Sequence, residues 1–313
     1  MTKISLAMLL AIAIFSVASF GITNSGAVVL SLKQTGQTVS YTDFDDGAYQ
    51  KGVAHSYTRD DDKEIVIDNI TGLIWQDNND ITSMPHSEAE TYCTDLVLAD
   101  YSDWRLPEIE ELQSIINYGN MPMVNSTFLN ARNSDFWSST IIDIYGVSSV
   151  FNIFNNGYTN THYSPSSHFS ARCVRSDNNN VKQDQLTRDD TNGIVTDANT
   201  QLQWQDNYSH YASWQDAINY CEALSLGGED DWRLPNINEL ISIIDHDVNT
   251  TIRLKKIFEK RSWRLWSSTT RPIFPNLAFI VNFDHGDVSP YYYKNWREGV
   301  RCVRNVQLEA KTP

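Results

Sequence analysis

The stretch "SDWRLPEIEEL" (102–112) determines how this sequence is interpreted, because a near-copy, "DDWRLPNINEL" (230–240), follows in the same chain. Both contain Asp-Trp-Arg-Leu-Pro, and both continue with apolar residues at the spacing of a helix. A motif that occurs twice in one chain marks either a duplicated functional site or a duplicated piece of scaffold. The surrounding sequence is needed to distinguish the two.

The repeat extends far beyond this motif. Four further pairs of motifs occur in the same order and at a nearly constant offset, which indicates a tandem duplication of a domain of about 120 residues. The pairs are TRDD (58–61 and 187–190), TGLIWQDN and TQLQWQDN (71–78 and 200–207), FWSST and LWSST (136–140 and 265–269), and RCVR (172–175 and 301–304). The predicted segments are an irregular leader at 28–57, copy 1 at 58–175, a polar linker at 176–185, copy 2 at 186–305 and a tail at 306–313.

The N-terminus has the pattern of a secretory signal peptide. Lys3 precedes the apolar run "ISLAMLLAIAIFSVASF" (4–20), and small residues follow it. This order predicts a signal peptide at residues 1–27 and a mature protein that is periplasmic, on the cell surface or extracellular. The alternative is an uncleaved anchor, although the run is at the short limit for a membrane span.

The composition predicts folded domains and disfavours two classes of partner. Of the 313 residues, 41% are hydrophobic and 12% are aromatic, enough apolar material for a core in each copy. The formal net charge of −15 would repel nucleic acid and anionic membranes. We therefore expect no nucleic-acid binding, and no membrane insertion once the signal peptide is removed.

Each copy contains one early and one late cysteine, and export makes disulfides permissible. Because independent domains should pair their cysteines internally, the repeat predicts Cys93–Cys173 and Cys221–Cys302. The alternative is four free thiols.

The apolar spacing predicts two helices in each copy, followed by several short strands. Ser87 and Glu90 have the spacing of a capping box at the start of the first helix. Pro107 and Pro235 stand where the first turn of a second helix accommodates proline. Segments such as FWSST and RCVR are short and rich in the residues typical of strands. This order indicates an α+β fold with a small, mainly antiparallel sheet in each copy.

The order of motifs TGLIWQ, YC, DWRLP, EEL, WSST and RCVR resembles the DUF1566 family, also called the Legionella collagen-like protein C-terminal domain family. The resemblance covers nearly all of both copies. It implies a distant likeness to the C-type-lectin-like and formylglycine-generating-enzyme fold, hence two tandem C-type-lectin-like domains. The founding member binds sulfated glycosaminoglycans, which implies an anionic glycan as one class of ligand. The calcium motif of sugar-binding C-type lectins, Glu-Pro-Asn or Gln-Pro-Asp, does not occur in this sequence.

The sequence favours a binding protein over an enzyme. Its seven histidines are scattered without zinc-ligand spacing, so we expect no metal and no cofactor. Acidic runs such as DDD (60–62) leave calcium open, with solvated turns as the alternative. The repeated Ser-Ser pairs (138–139 and 267–268) are interpreted as sheet residues rather than nucleophiles. A formylglycine-generating activity would need reactive cysteines, whereas both in each copy occupy scaffold positions.

Two segments of copy 2 are candidate ligand-binding surfaces. The segment "RLKKIFEKRSWR" (253–264) is strongly basic within an acidic protein, and such clusters suit sulfate, phosphate or carboxylate groups. The alternative is a solvated amphipathic helix. The segment "PYYYKNW" (290–296) could present a stacking platform for a sugar or a protein. The candidate ligand-binding residues are Arg253, Lys255, Lys256, Lys260, Arg261, Arg264, Tyr291, Tyr293 and Trp296.

The duplicated Asp-Trp-Arg-Leu-Pro motif is interpreted as scaffold, because no reactive neighbours repeat beside it. Its predicted structural residues are Trp104, Arg105, Pro107, Trp232, Arg233 and Pro235. The overall prediction is an exported, non-catalytic protein that binds a glycan or a protein at the cell envelope or surface. The alternatives are an enzyme or enzyme accessory of the formylglycine-generating fold class, and a purely architectural envelope protein.

Overall fold

The computed structural model describes residues 32–130, 132–144, 147–163, 167–177, 185–207, 210–246, 252–259 and 262–306. The predicted signal peptide, most of the linker, most of the tail, Lys260 and Arg261 lie outside these residues. The chain is mostly β, with 34% strand against 14% helix, and its four small sheets lie in a β-propeller arrangement. The predicted α+β fold of two C-type-lectin-like domains, each with two helices and one sheet, is therefore wrong.

The leader contains one short helix, and copy 1 contains two helices and several strands. In chain order these elements are α1 (Asp46–Tyr49), β1 (Tyr57–Asp60), β2 (Ile65–Asp68), β3 (Leu73–Gln76), β4 (Ser83–Met84), α2 (His86–Asp95), α3 (Ile109–Gln113), β5 (Phe136–Ile144), β6 (Val147–Ile153), β7 (Thr159–Tyr163), β8 (Phe169–Ser170) and β9 (Val174–Ser176).

Copy 2 repeats the same order of elements. They are β10 (Leu186–Asp189), β11 (Ile194–Asp197), β12 (Leu202–Gln205), β13 (His210–Ala212), α4 (Trp214–Glu222), α5 (Ile237–Ile241), β14 (Arg264–Thr270), β15 (Leu277–Asn282), β16 (Asp287–Tyr293), β17 (Glu298–Val300) and β18 (Val303–Asn305).

Each copy forms a four-stranded and a five-stranded sheet with the same strand order. The sheets are β1-β2-β3-β9 and β4-β8-β5-β6-β7 in copy 1, and β10-β11-β12-β18 and β13-β17-β14-β15-β16 in copy 2. Neighbouring strands are antiparallel except for the β5–β8 and β14–β17 pairs, which are parallel. Strands β7 and β16 are thus edge strands of the two larger sheets.

The helices are shorter than the apolar spacing predicts. α3 ends at Gln113 and α5 at Ile241, five residues each. Ile116 and Ile244 continue the apolar stripe and are buried, but they lie beyond the helices and form bridges to Val124 and Leu254. Apolar spacing alone could not separate a helix from a turn that buries the same face, which is the physical reason for the error in fold class.

The helix caps also differ from the sequence prediction. α2 begins at His86 after Pro85, which provides no side-chain cap, so the predicted Ser87–Glu90 capping box is wrong. Capping boxes occur instead at the second helices, between Glu108 and Glu111. Asn236 and Glu239 form the equivalent box in copy 2. Each box satisfies backbone N–H groups that have no partner within the helix.

The predicted disulfide pairing is confirmed. Cys93 of α2 is bonded to Cys173, just before β9. Cys221 of α4 is bonded to Cys302, just before β18. Each bond therefore joins the first helix of a copy to its last strand, and all four sulfur atoms lie in buried apolar surroundings.

The two copies share a central apolar cluster, and each copy also has a smaller apolar cluster of its own. A single cluster of buried residues includes the β3, α3 and β9 side chains of copy 1 and the β12, α5 and β18 side chains of copy 2. The rings of Tyr118 and Phe279 meet edge to face across the junction, with centroids 5.0 Å apart. The backbone N–H of Val288 donates to Thr159 Oγ1 (2.7 Å), which joins the edge strands β16 and β7.

Residues 32–52 of the leader form a strap that crosses both copies. On copy 1, Lys33 forms a buried ion pair with Asp68. The Tyr118 N–H donates to the Thr35 carbonyl there (2.7 Å). On copy 2, the Gln37 side chain bonds both backbone groups of Thr270. The leader is therefore an integral, partly buried element of the fold.

Candidate binding surface

Three exposed aromatic side chains form a surface at the edge of copy 2. Tyr291, Tyr293 and Trp296 are 44%, 46% and 47% exposed. Because side chains alternate along a strand, Tyr291 and Tyr293 of β16 point to the same face. Trp296 follows in the next turn, with its ring centroid 5.2 Å from that of Tyr293. We call these three residues the aromatic surface.

An arginine and the neighbouring copy hold one end of the aromatic surface. The Arg271 guanidinium lies over the Tyr291 ring at 4.8 Å, within the range of a cation–π contact. From copy 1, Asn156 donates from Nδ2 to the Tyr291 hydroxyl (2.8 Å). The Tyr158 ring meets the Tyr291 ring edge to face at 5.6 Å. Tyr291 is therefore held in place before any ligand arrives.

Among the predicted cations that the structure describes, Arg264 is the one brought to this region. Its guanidinium lies 5.6 Å from the centre of the Tyr292 ring, and it donates from Nη1 to the Tyr292 hydroxyl (3.1 Å). The Tyr292 ring in turn lies 5.7 Å from that of Trp296. Arg264 also pairs with Glu298 at 3.2 Å, yet nearly half of its side chain is exposed. Arg264 is thus linked to Trp296 through Tyr292, whose side chain points to the other face of β16 from Tyr291 and Tyr293.

The basic segment is a loop over residues 252–259, so the alternative interpretation as an amphipathic helix does not hold for these residues. Phe258 anchors the loop: its ring is buried, and the Arg301 guanidinium lies 4.6 Å from the ring centre. The Glu259 N–H donates to Asp206 Oδ2 (2.7 Å). A loop tied to buried groups in this way does not place its cations along one helical face.

The predicted cations of this segment fall into different environments. Arg253 is only 1% exposed and lies near Asp287, so it acts as a buried counter-charge rather than as part of a surface. Burial raises the pKa of Asp287 to about 7; the charge of Asp284 raises it further, and Arg253 opposes both. Lys255 is half-buried and Lys256 is exposed. Lys260 and Arg261 lie outside the described residues.

The tryptophans of the duplicated motif are core residues. Trp104 and Trp232 are buried. Each donates its indole N–H to a loop carbonyl, Trp104 to Leu98 (3.3 Å) and Trp232 to Leu226 (3.2 Å). The carbonyls of Pro107 and Pro235 accept the N–H groups of Ser139 and Ser268, each at 2.7 Å. These contacts fix the turn before the second helix.

The arginines of the motif form two-fold hydrogen-bonded ion pairs with the acid of each capping box. Arg105 bonds both oxygens of Glu111 (2.6 and 2.7 Å), and Arg233 bonds both oxygens of Glu239 at the same distances. The environments differ, because the Arg105 side chain is 44% exposed and that of Arg233 is 5% exposed. The motif is structural in both copies, but it is covered in only one.

Each copy also contains a buried ion network that the sequence patterns did not predict. In copy 1, Asp77 pairs with Arg172 (2.7 Å), both fully buried, and also with Arg59. In copy 2, Asp206 pairs with Arg301 (2.7 Å) and with Arg188. Desolvation lowers the pKa of Arg172, and the neighbouring Asp77 carboxylate opposes this effect. The signal was present, because the TRDD, WQDN and RCVR motifs carry these charges in both copies.

Comparison with known proteins supplies the family. The model of the Lcl C-terminal domain family matches residues 64–175 and 193–304, together more than half of the chain. The chain belongs to the Lcl C-terminal domain family. No curated protein matches it. This family suggests a non-catalytic, surface-associated domain, present here in two tandem copies.

Within an Lcl C-terminal domain, the repeated serines have structural contacts. In copy 2, Ser267 donates from Oγ to the Phe279 carbonyl (2.8 Å), and Ser268 donates to the Pro235 carbonyl (3.2 Å). Both are buried. Over the described part of the chain, no group of three or more His, Cys, Asp or Glu residues is placed to hold a metal ion. No helix in that part is long and apolar enough to span a membrane.

Proposed function

We propose that this protein is an exported, non-catalytic binding protein whose aromatic surface on copy 2 takes a glycan. The observation that carries the proposal is the exposure of Tyr291 and Tyr293 on the edge strand β16 and of Trp296 in the turn that follows it. A contiguous exposed apolar patch is characteristic of an interaction site, and the contact between the Tyr293 and Trp296 rings supports such a patch here. The two disulfides are consistent with export.

The chemistry of the aromatic surface suits a sugar. Tyrosine and tryptophan present an apolar ring face together with a hydrogen-bonding tip, which matches the apolar and hydroxyl faces of a pyranose ring. Arg264, linked to Trp296 through Tyr292, would donate to a hydroxyl, carboxylate or sulfate group of a ligand that extends past the Trp296 ring. Among the described cations of the basic segment, only Arg264 has a contact that leads to the aromatic surface, so the anionic preference rests on it.

The proposal of no catalysis rests on the state of the reactive side chains. Both cysteine pairs are disulfide-bonded, and a disulfide sulfur cannot act as the thiolate nucleophile or metal ligand that catalysis would need. The repeated serines of copy 2 donate to backbone carbonyls instead of facing a general base.

A glycan array with the mature protein tests the proposal, followed by titration of the strongest ligand. We expect Trp296→Ala and Tyr293→Ala each to weaken binding by about tenfold, which corresponds to about 1.4 kcal/mol. Trp263→Ala is the matched control, because Trp263 is 60% exposed but lies just before β14, bonded to Phe283 at the end of β15 away from Tyr293. Unchanged affinity in the two variants would remove the aromatic surface from the proposal. Silence across neutral and acidic glycans would favour a protein partner or an architectural role.

A further inference from the structure

The same face is buried in copy 2 and open in copy 1. In copy 2 the strap covers Arg233 and residues 268–270, and Thr270 is 0% exposed. The equivalent of Thr270 in copy 1 is Ile141, an apolar side chain that is 53% exposed. The open face of copy 1 is a groove lined by Glu90, Thr94, Arg105, Leu106, Glu108 and Ser139.

The difference between the copies follows from the connections in the chain. The strap occupies residues 32–52 of the leader, ahead of β1. The segment ahead of copy 2 is much shorter, because β9 ends at Ser176 and β10 begins at Leu186. Between them the chain has too few residues to repeat the strap on copy 1. The open face therefore results from the connectivity and not from a loss of the underlying structure.

The open face keeps the backbone groups that bind the strap in copy 2. Thr270 donates its N–H to Gln37 Oε1 (3.1 Å) and accepts from Gln37 Nε2 (2.7 Å). Thr270 lies opposite Ala278, and Ile141 lies opposite Val150 in the same register. In an antiparallel pair, hydrogen-bonded and non-hydrogen-bonded positions alternate. Ile141 has the same position as Thr270, so its N–H and C=O point away from β6, toward the open face.

A side-chain donor is preserved as well. Thr269 Oγ1 accepts the Ile237 N–H (3.0 Å) and donates to the Asp46 carboxyl of the strap (2.7 Å). Thr140 Oγ1 accepts the equivalent Ile109 N–H (2.9 Å). A hydroxyl that accepts through its oxygen still has its hydrogen to donate. The Thr140 hydroxyl can therefore donate to a docked segment, as the Thr269 hydroxyl donates to Asp46.

The charge of the face differs between the copies and determines its occupant. Glu90 of copy 1 stands where copy 2 has the buried Ile218, and Glu108 stands where copy 2 has Asn236. Half of the Glu90 side chain is exposed. The strap of a second molecule would bring Asp43, Asp45 and Asp46 toward these acids, which like-charge repulsion disfavours.

We propose that the open face of copy 1 docks a basic peptide segment of a partner protein, held by the contacts that the strap makes on copy 2. The partner segment would bond the Ile141 backbone and the Thr140 hydroxyl, cover Ile141, and place a Lys or Arg beside Glu90. This proposal does not rest on glycan binding, because no residue of the aromatic surface lines the groove.

Synthetic peptides test the proposal on the full-length mature protein. The first peptide has the strap sequence 35–52, the second carries Asp43→Lys and Tyr49→Lys in the same frame, and the third is a scrambled form of the second. Fluorescence anisotropy measures affinity, and hydrogen exchange at residues 139–141 reports where binding occurs. We expect the second peptide, called the lysine peptide below, to bind the protein and to protect these amides from exchange. Its affinity for the Glu90→Lys variant should be at least tenfold lower than for the unsubstituted protein.

Glu88→Lys is the matched protein variant, because Glu88 is exposed on the same helix but does not line the groove. It adds the same charge and should leave the affinity for the lysine peptide unchanged. Equal losses in both variants would mean that only net charge matters and would overturn the proposal. Stronger binding by the acidic strap peptide would overturn it in favour of a second copy of this chain. Equal binding by the scrambled peptide would also overturn it, as would the absence of saturable binding.

Discussion

The Asp46 carboxyl is a buried acid that joins the strap to copy 2. Its Oδ2 atom accepts hydrogen bonds from Thr35 (2.6 Å) and from Thr269 (2.7 Å). Burial raises its pKa to about 7 even though both hydrogen bonds act to lower it, and the charges of Glu239 and Asp45 add to the increase. Two hydroxyl donors therefore do not compensate fully for the lost hydration of the carboxylate.

The raised pKa of Asp46 predicts a pH-dependent stability. A carboxyl whose pKa is about 7 in the folded state and near 4 in the unfolded state binds more protons when folded across this interval. The unfolding free energy should therefore fall as pH rises from about 4 to about 7, with this loss complete above the folded-state pKa. Denaturant unfolding at a series of pH values measures the slope, which should be shallower in Asp46→Asn.

The control for this prediction is Asp43→Asn, since Asp43 is exposed in the same strap. Asp287 also has a raised pKa, but it is present in all three proteins, so the difference between their slopes isolates Asp46. A full wild-type slope in Asp46→Asn would contradict the assignment.

At the scale of elements, the chain contains the same ion pair twice in different surroundings. The Arg233–Glu239 pair ties the Asp-Trp-Arg-Leu-Pro turn to α5 beneath the strap, whereas the Arg105–Glu111 pair ties it to α3 at the open face. Removing one partner of a buried pair leaves an uncompensated charge out of water. A pair in contact with solvent is screened and contributes little to stability.

We expect Arg233→Met to lower the unfolding free energy by about 3–5 kcal/mol. Arg105→Met should lower it by about 1 kcal/mol or less, because water can solvate the Glu111 carboxylate that remains. Chemical denaturation at neutral pH measures the unfolding free energy of both variants, and each variant serves as the control for the other. Similar costs at the two positions would show that the strap does not shield the copy 2 pair.

Over the whole molecule, the shared core and the strap join the two copies into one folding unit. The apolar cluster contains residues from both, and the strap has buried contacts with each. Independent domains would unfold separately, whereas copies that expose their common core on separation lose stability together.

We therefore expect calorimetry of the protein to show one unfolding transition, with agreement between calorimetric and van't Hoff enthalpies. A truncated protein that lacks residues 28–52 should melt at a lower temperature, because it exposes the copy 2 face that the strap covers. Two resolved transitions, or an unchanged melting temperature after the truncation, would argue against a shared folding unit.

Sequence patterns predicted some parts of this architecture and missed others for identifiable reasons. The apolar spacing after the duplicated motif predicted a second helix in each copy but overestimated its length, since a turn and a bridge bury Ile116 equally well. The basic residues at 253–264 were interpreted as one surface, yet Arg253 is buried beside Asp287. Charge in a sequence does not reveal burial, which depends on residues distant in the chain.

The sequence by itself determined the duplication, the family and the cysteine partners, because identical motifs at a constant offset require no knowledge of packing. Tertiary structure alone decided that the fold is mostly β, that the leader is a strap, and that copy 1 keeps an open face. These features depend on contacts such as Gln37 with Thr270, which join segments far apart in sequence. No local periodicity encodes such a contact, because it exists only once the two copies have packed around a common core.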